Sequence, residues 1–390
     1  MNIVLFSHPA FMQSQSMPRF ARMLEQAYAA RGHHVQMWSP QAKVYRMISN
    51  SRLSKWAGYI DQYVLFPIWV RKQIKSQPAD TLYVFCDQAL GPWMPIVKDR
   101  PHIVHVHDLL ALRSALGKEP ENPTSWTGRL YQRYIRQGFR QAKHFVSISN
   151  KSREDLHYFG KVSPVTSEVV YNGLNYPYKP LASDEALQIL TQAGFPATPE
   201  SMLLHVSGHQ WYKNVAGVIR IYAHYARASS NPLPLWLVGP QLDEKLQSAL
   251  DEVPVQGLVL FLHGLDNKAL QAAYSISRAF LFPSLAEGFG WPIIEAQACG
   301  CSVITTGEPP MNEIGGPVAR YLPRLKVDND VQVWAKHGAS VLLDLLSLDE
   351  PSRADVSKNA VAWAARFDAD TAIEGYLRVY QQIMDLRKVI

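Results

Sequence analysis

The stretch 279–306, AFLFPSLAEGFGWPIIEAQACGCSVITT, limits what this chain can fold into more than any other. It reads as strand, loop, helix, strand. Phe280, Leu281 and Phe282 make a short apolar run of the kind found in buried strands. Pro283 and Ser284 end it. The following Glu287-Gly288-Phe289-Gly290 is a loop whose glycines permit tight turns. Pro292 suits a first helical turn, where a missing N–H costs nothing. The helix then runs through Ile293, Ile294, Glu295, Ala296 and Ala298, and Gly300 stops it. Residues 302–305 are β-rich and mostly apolar, and read as the next strand.

This order has chemical content. A helix that begins after a Gly-rich loop points N–H groups and a partial positive charge at whatever lies before it. A diphosphate suits that place. Glu287 before the helix and Glu295 in its first turns carry carboxylates that accept hydrogen bonds from sugar hydroxyls. A buried crossover with a solvated glutamate on each side fits the same residues, and local physics leaves both readings open.

The rest of the chain repeats the alternation. Residues 3–6 read as a strand, 17–31 as a helix stopped by Gly32, and 35–38 as a second strand, the opening of a doubly wound sheet. Further strands are expected at 82–85, 103–106, 145–149, 202–206, 235–239 and 258–262, with helices between them. At 390 residues the default is two domains. The expected boundaries are 1–176 with a returning C-terminal helix at about 371–390, and 177–370, with the early part of 174–200 as linker. Hydrophobic content of 47% and charged content of 18% exclude a disordered chain. No run reaches the roughly 20 apolar residues of a membrane span. The opening MNIVLFSHPAFMQ lacks a basic n-region and a cleavage site and reads as a strand, so a cytoplasmic protein is expected. Cys86, Cys299 and Cys301 form no disulfide framework, and core packing is their expected role. A net charge of +6 allows anionic partners without choosing among them.

Several local features carry competing readings. The segment 53–75 is dense in aromatic and aliphatic residues with Lys55, Arg71, Lys72 and Lys75 at its flanks. It reads either as a membrane-interface segment or as a helix packed on the sheet, and Pro67 is expected to interrupt it. Arg129, Arg133, Arg136, Arg140 and Lys143 recur at helical spacing, as a solvated basic stripe or a track for anionic headgroups. His107 ends the strand 103–106 where ligands collect in open α/β sheets. Lys213 follows Gly208 at another strand-to-helix turn and could neutralise a diphosphate. Asp266 is a helix cap or a base contact. Asp328-Asn329-Asp330 and Asp368-Ala369-Asp370 look like DxD metal motifs, but their placement favours loop and cap, and no metal is expected.

The motif E-G-F-G-W-P-I-I-E, followed by A-Q-A-C-G-C-S-V-I-T-T, closely resembles the E-x7-E donor signature of the retaining GT-B glycosyltransferases of family GT4. R-G-H-H-V near the start, H-D-L at 107–109, the N-G at 172–173 and F-x(8)-Y between Phe367 and Tyr376 fit the same family. Two departures stand out. Relatives often place paired glycines in the first loop, where this chain has Gln13-Ser14-Gln15-Ser16-Met17, Ser16 being a candidate helix cap. Relatives also carry an arginine where this chain has His209.

The resemblance implies two Rossmann-like domains facing across a cleft, with the C-terminal helix crossing back to the first. It implies hexose transfer from a nucleoside diphosphate sugar, without cofactor or catalytic metal. Glu295 would hold the ribose diol. Glu287, Gly288, Phe289, Gly290 and Trp291 would hold sugar hydroxyls and the β-phosphate. Lys213, with Gly208 and His209, would meet the diphosphate, the loop at Leu265 would lie over the base, and His107 would approach the sugar. The segment 53–75 and the basic face from Arg129 to Lys143 lean towards a glycan or lipid-linked hydroxyl as acceptor, in surface polysaccharide synthesis, and towards a membrane surface as a further partner; nucleic acid is not expected. An epimerase or phosphorylase on the same fold, and a basic binding protein with a lapsed site, remain the alternatives.

Overall fold

The apolar runs of the sequence are strands of two parallel sheets in the computed structural model, which describes residues 1–11, 16–48, 51–196, 202–239 and 241–388. Gln13, Ser14 and Gln15 lie outside the described residues, as does the side chain of Ser16. The chain divides into two units, Met1–Tyr171 with Asp370–Ile390, and Asn172–Ala369.

The first unit holds β1 (Asn2–Phe6), β2 (His34–Trp38), β3 (Leu82–Phe85), β4 (His102–Val106), β5 (His144–Ser147) and β6 (Thr166–Val169). Their order is β2-β1-β3-β4-β5-β6, all parallel. β3 and β4 are buried along their whole length, so they read as continuous apolar runs rather than alternating ones. The helix Ala369–Lys388 supplies part of one face of this sheet. Ala372, Ile373, Tyr376, Val379, Tyr380 and Ile383 pack with Ile3, Leu5, Phe20 and Leu24. The Tyr380 hydroxyl bonds His105 Nε2 at 2.6 Å and receives a hydrogen bond from the Tyr28 hydroxyl at 3.0 Å.

The second unit holds β7 (Leu203–Val206), β8 (Leu235–Val238), β9 (Val259–Leu262), β10 (Ala279–Phe282), β11 (Val303–Thr306) and β12 (Arg320–Leu322). The order β12-β11-β10-β7-β8-β9 is that of a Rossmann sheet, with the direction of winding reversing between β7 and β10. Leu203, Leu235, Leu237, Leu281 and Ile304 form a core with the helices Val215–Ala228 and Val331–Leu346. Among the described residues no helix is long and apolar enough to cross a membrane.

Some expectations need correction. Pro67 does not break 53–75. Helical backbone runs from Ser51 to Ile74, with a wide π-turn at Asp61–Leu65 just before Pro67. The proline then stands in the first turn of the helix Phe66–Ile74, where its missing N–H is tolerated. Lys143 is not on the basic helix, which ends at Phe139. The early part of 174–200, expected as linker, holds no helix or strand before the helix Ser183–Gln192 begins. Asp330 caps the helix Val331–Leu346 through Gln332 and Val333, and Asn329 Oδ1 accepts from the Lys326 amide. Cys86, Cys299 and Cys301 are free and buried.

Candidate functional site

In the second unit, the loops leaving β7 and β10 flank the reversal point of the sheet, where open α/β sheets bind ligands. They are tied together. The Leu285 amide donates to the Tyr212 carbonyl at 2.7 Å, and Asn214 Nδ2 donates to the Pro283 carbonyl at 3.0 Å. Thr305 and Thr306 on β11 donate to the carbonyls of Phe282 and Ser284 at 2.8 and 2.6 Å. The path of the β10 loop is thereby fixed from both sides.

Gly290 N-caps the helix Trp291–Ala298 with a φ of 99°, a region that side chains enter only with strain. It offers no side chain to the amides of the first turn, and Pro292 follows at the helix start. A backbone donor end without a side-chain cap suits an anion. Trp291 anchors the turn from outside, its indole N–H donating to the Gly173 carbonyl at 3.0 Å. Phe289 is buried against Phe367, with ring centroids 5.9 Å apart.

Charged groups gather at this point. Lys213 Nζ donates to Glu287 Oε1 at 2.7 Å, with only 12% and 7% of the two side chains exposed. The ammonium also lies 4.9 Å from the Phe282 ring and 5.1 Å from that of Tyr212, close enough for cation–π attraction. Glu295 is buried, and its Oε2 accepts from the Tyr274 hydroxyl at 3.2 Å. Burial, and next the Glu295 charge, push the Tyr274 phenol well above its ordinary range, so it stays a donor. Arg324 Nε donates to the Leu285 carbonyl at 2.7 Å. Beneath the site His205 bridges the Leu281 carbonyl and the Ser207 hydroxyl, each at 2.7 Å.

The structure brings Lys213, Glu287, Gly288, Phe289, Gly290 and Trp291 onto these joined loops and the helix start, with Glu295 one turn further along the helix. Gly208 and His209 belong to the same β7 loop. His209 is exposed, and its Nδ1 accepts from the Gln241 amide at 3.4 Å. Leu265 is half-buried beside Asp266, which caps the next helix by accepting from the Ala269 amide at 2.8 Å. Tyr274 and Arg324 were missed. Neither has a local signal, because each reaches its partner across the fold.

In the first unit His107 is buried, with Nε2 donating to the Cys86 carbonyl at 2.9 Å and the Phe20 ring edge-on at 4.6 Å. Burial holds its imidazole below the ordinary range, while the Asp87 charge pulls the other way. The sequence reading also missed His8 and Asp87, at the ends of β1 and β3, whose Nε2 and Oδ2 lie 2.8 Å apart. Among the described residues no three His, Cys, Asp or Glu side chains come together as a metal-binding set.

Two family profiles match in succession, "Glycosyl transferase 4-like domain" over residues 17–173 and "Glycosyl transferases group 1" over residues 191–363. The chain belongs to the GT4-type glycosyltransferases. Its family relatives include O-antigen chain mannosyltransferase B of Escherichia coli, 24% identical over 55% of this chain and 56% of that one. The chain thus spans about half the length of the curated relatives it matches, and 22% of another. Among solved structures, the lipopolysaccharide-biosynthesis glycosyltransferase WaaG superposes with a TM-score of 0.69 at 18% identity, covering 96% of this chain and 98% of its own. HepE of Anabaena, solved with UDP and glucose, does so with a TM-score of 0.67 at 16% identity over the full length of both. These likenesses establish the GT-B fold for this glycosyltransferase, two Rossmann-like sheets with flanking helices.

Proposed function

We propose that this glycosyltransferase moves a hexose, with retention, from a nucleoside diphosphate sugar to a hydroxyl of a glycan or lipid-linked acceptor presented at a membrane surface. The observation that carries the reading is the uncapped start of the helix Trp291–Ala298, with the buried Lys213–Glu287 pair beside it and Glu295 one turn on. The amides of Gly288–Trp291 receive the β-phosphate. Lys213 meets the charge that grows on the leaving diphosphate as the glycosidic bond breaks, an effect that preorganised charges supply most cheaply. Glu287 both fixes that ammonium and accepts from sugar hydroxyls. Glu295, held by Tyr274, accepts from the ribose diol. Gly208 and His209 line the diphosphate, Leu265 covers the base and His107 touches the donor sugar. The departing phosphate takes the acceptor proton on the same face, so no side-chain nucleophile and no catalytic metal are needed. The named activity of the mannosyltransferase relatives supports a hexosyl donor and a role in polysaccharide synthesis. The UDP and glucose bound by HepE support a nucleotide sugar.

A thermal-shift screen against UDP-, GDP- and ADP-sugars tests this. One base should raise the melting temperature with ligand concentration, and Glu295→Gln should abolish the rise. Product analysis then reads transfer to an added acceptor, with EDTA leaving the rate unchanged. Strong EDTA inhibition would contradict the metal-free reading. No shift with any nucleotide sugar, together with no turnover, would overturn the proposal.

A further inference from the structure

The first unit carries a surface that its own fold leaves uncovered. Along the helical stretch from Ser51 to Ile74, the exposed large apolar residues are Leu53, Trp56, Ile60, Val64, Ile68 and, less fully, Trp69. The first five, three or four residues apart, keep to one side, and the stripe continues through the π-turn Asp61–Leu65. The helix Trp126–Phe139 exposes Trp126, Leu130 and Tyr134 at intervals of four. Trp56 and Trp126 are 64% and 73% exposed, a large apolar surface for two tryptophans to leave in water. The two stripes adjoin. The Tyr59 ring stacks on Tyr131 at 5.8 Å, the hydroxyls of Tyr63 and Tyr131 share a hydrogen bond of 2.6 Å, and Tyr63 meets Tyr134 edge-on at 5.7 Å.

The surroundings of these stripes are cationic. Lys55, Arg71, Lys72 and Lys75 are exposed on or just past the first helical stretch, and Arg129, Arg133 and Arg140 on or just past the second. Residues 126–143 contain no acid, and the only acid in 51–75 is Asp61. Its carboxylate is buried and taken by the amides of Lys43, Val44 and Tyr45 at 3.1, 2.9 and 2.9 Å. No carboxylate on these two segments answers the exposed cations.

The chemistry selects the occupant. Aliphatic residues among the aromatics gain nothing from stacking on nucleobases; they need an apolar medium. A second copy docked on the same patch would bring these cations against their own kind. A helix face of tryptophan and aliphatic residues flanked by lysine and arginine suits the boundary between headgroups and acyl chains of an anionic bilayer. We infer that this face docks the protein on a membrane rich in anionic lipid, with the two helices in the plane of the interface. The inference deepens the lipid-linked acceptor reading, on which its purpose rests, since such an acceptor is held in a bilayer.

The test uses the full chain without donor or acceptor, so that failure leaves the transfer reading standing and failure of transfer leaves this one standing. Co-sedimentation is measured with vesicles of phosphatidylcholine, and of equal parts phosphatidylcholine and phosphatidylglycerol. Binding should need the anionic lipid, fall with salt and blue-shift tryptophan emission. Lys72→Glu with Arg129→Glu and Arg133→Glu should lower partitioning by about 10²-fold. Trp56→Ser with Trp126→Ser should lower it about tenfold with every charge intact. Lys245→Glu with Lys358→Glu, exposed on the second unit, should leave it within about twofold. Circular dichroism checks that each variant is folded. Absence of sedimentation with anionic vesicles would overturn the inference, as would equal loss in the second-unit control. A tryptophan variant that changes the oligomeric state, in a protein that ignores vesicles, would assign the face to a second copy and also overturn it.

Discussion

At the residue scale, the largely buried Lys213–Glu287 pair holds two loops' charges together, and mutation can separate that from the catalytic role proposed for Lys213. Removing one partner of a buried ion pair leaves an uncompensated charge and costs about 3–5 kcal/mol, whereas removing both costs far less. Lys213→Ala should therefore lower both the stability of the second unit and kcat, the latter by about 10²-fold or more. Lys213→Met with Glu287→Gln should recover the urea midpoint and leave kcat depressed. Recovery of turnover in the double variant would reduce Lys213 to a structural residue. Such pairs are hard to read from sequence. Lys213 and Glu287 are 74 positions apart, and each was legible only because it lay in a strand-to-helix turn with glycines. His8 and Asp87 are 79 positions apart and have no such frame, so nothing local marked them. Asp266 shows the opposite case. Cap and base contact share one signature, and only the 2.8 Å bond from the Ala269 amide decides for the cap.

At the scale of elements, legibility followed burial. β10 and β11 are buried from end to end, and such strands announce themselves as apolar runs between breakers. The 3₁₀ segment Gln88–Ile96, holding Pro92 and Pro95, has no periodic signal and was not anticipated. The π-turn before Pro67 was hidden for a related reason, because a proline normally argues for an end and the accommodating turn precedes it. The turn into the helix Trp291–Ala298 was legible through its glycines, and Gly290 is the one whose φ of 99° requires the residue type. A Cβ there would lie 3.1 Å from Ile293 Cδ1. Gly290→Ala should cost about 1–3 kcal/mol of stability. It should also weaken nucleotide-sugar binding by tilting the amides proposed to receive the phosphate. Calorimetry with unchanged donor affinity would refute that link. The C-terminal helix allows a second check at this scale. Tyr380→Phe strips His105 Nε2 and the Tyr28 hydroxyl of a shared partner. The expected loss is about 1–3 kcal/mol, seen as earlier unfolding of the first unit. An unchanged midpoint would mean that these groups find another partner.

At the scale of the whole molecule, alternation of strand and helix made two parallel sheets legible. Their strand orders were not legible, because alternation does not say which strands become neighbours. The sheets share a liability that composition does not reveal, a neutral histidine sealed inside each. His205 is fully buried in the second unit. Burial holds its pKa at about 4, against the upward pull of the Leu281 carbonyl and with a smaller downward push from Lys213. His105 in the first unit is driven well below its ordinary value, by burial first and then by His107. Each imidazole binds its proton more weakly folded than unfolded. Its contribution to stability is therefore intact above the unfolded value of about 6.5 and is lost as pH falls towards the folded value. For His205 the loss by about pH 4 is on the order of 3 kcal/mol. Both units should thus soften on mild acidification, before most carboxylates titrate. Hydrogen exchange, read peptide by peptide between about pH 7 and about pH 4.5 and corrected for intrinsic rates, follows the two units separately. Protection of β7 and β10 should fall over that window in the wild type and less in His205→Gln. A flat profile in the wild type would mean that the imidazole takes up its proton inside the folded sheet, and the burial argument for this site would fail.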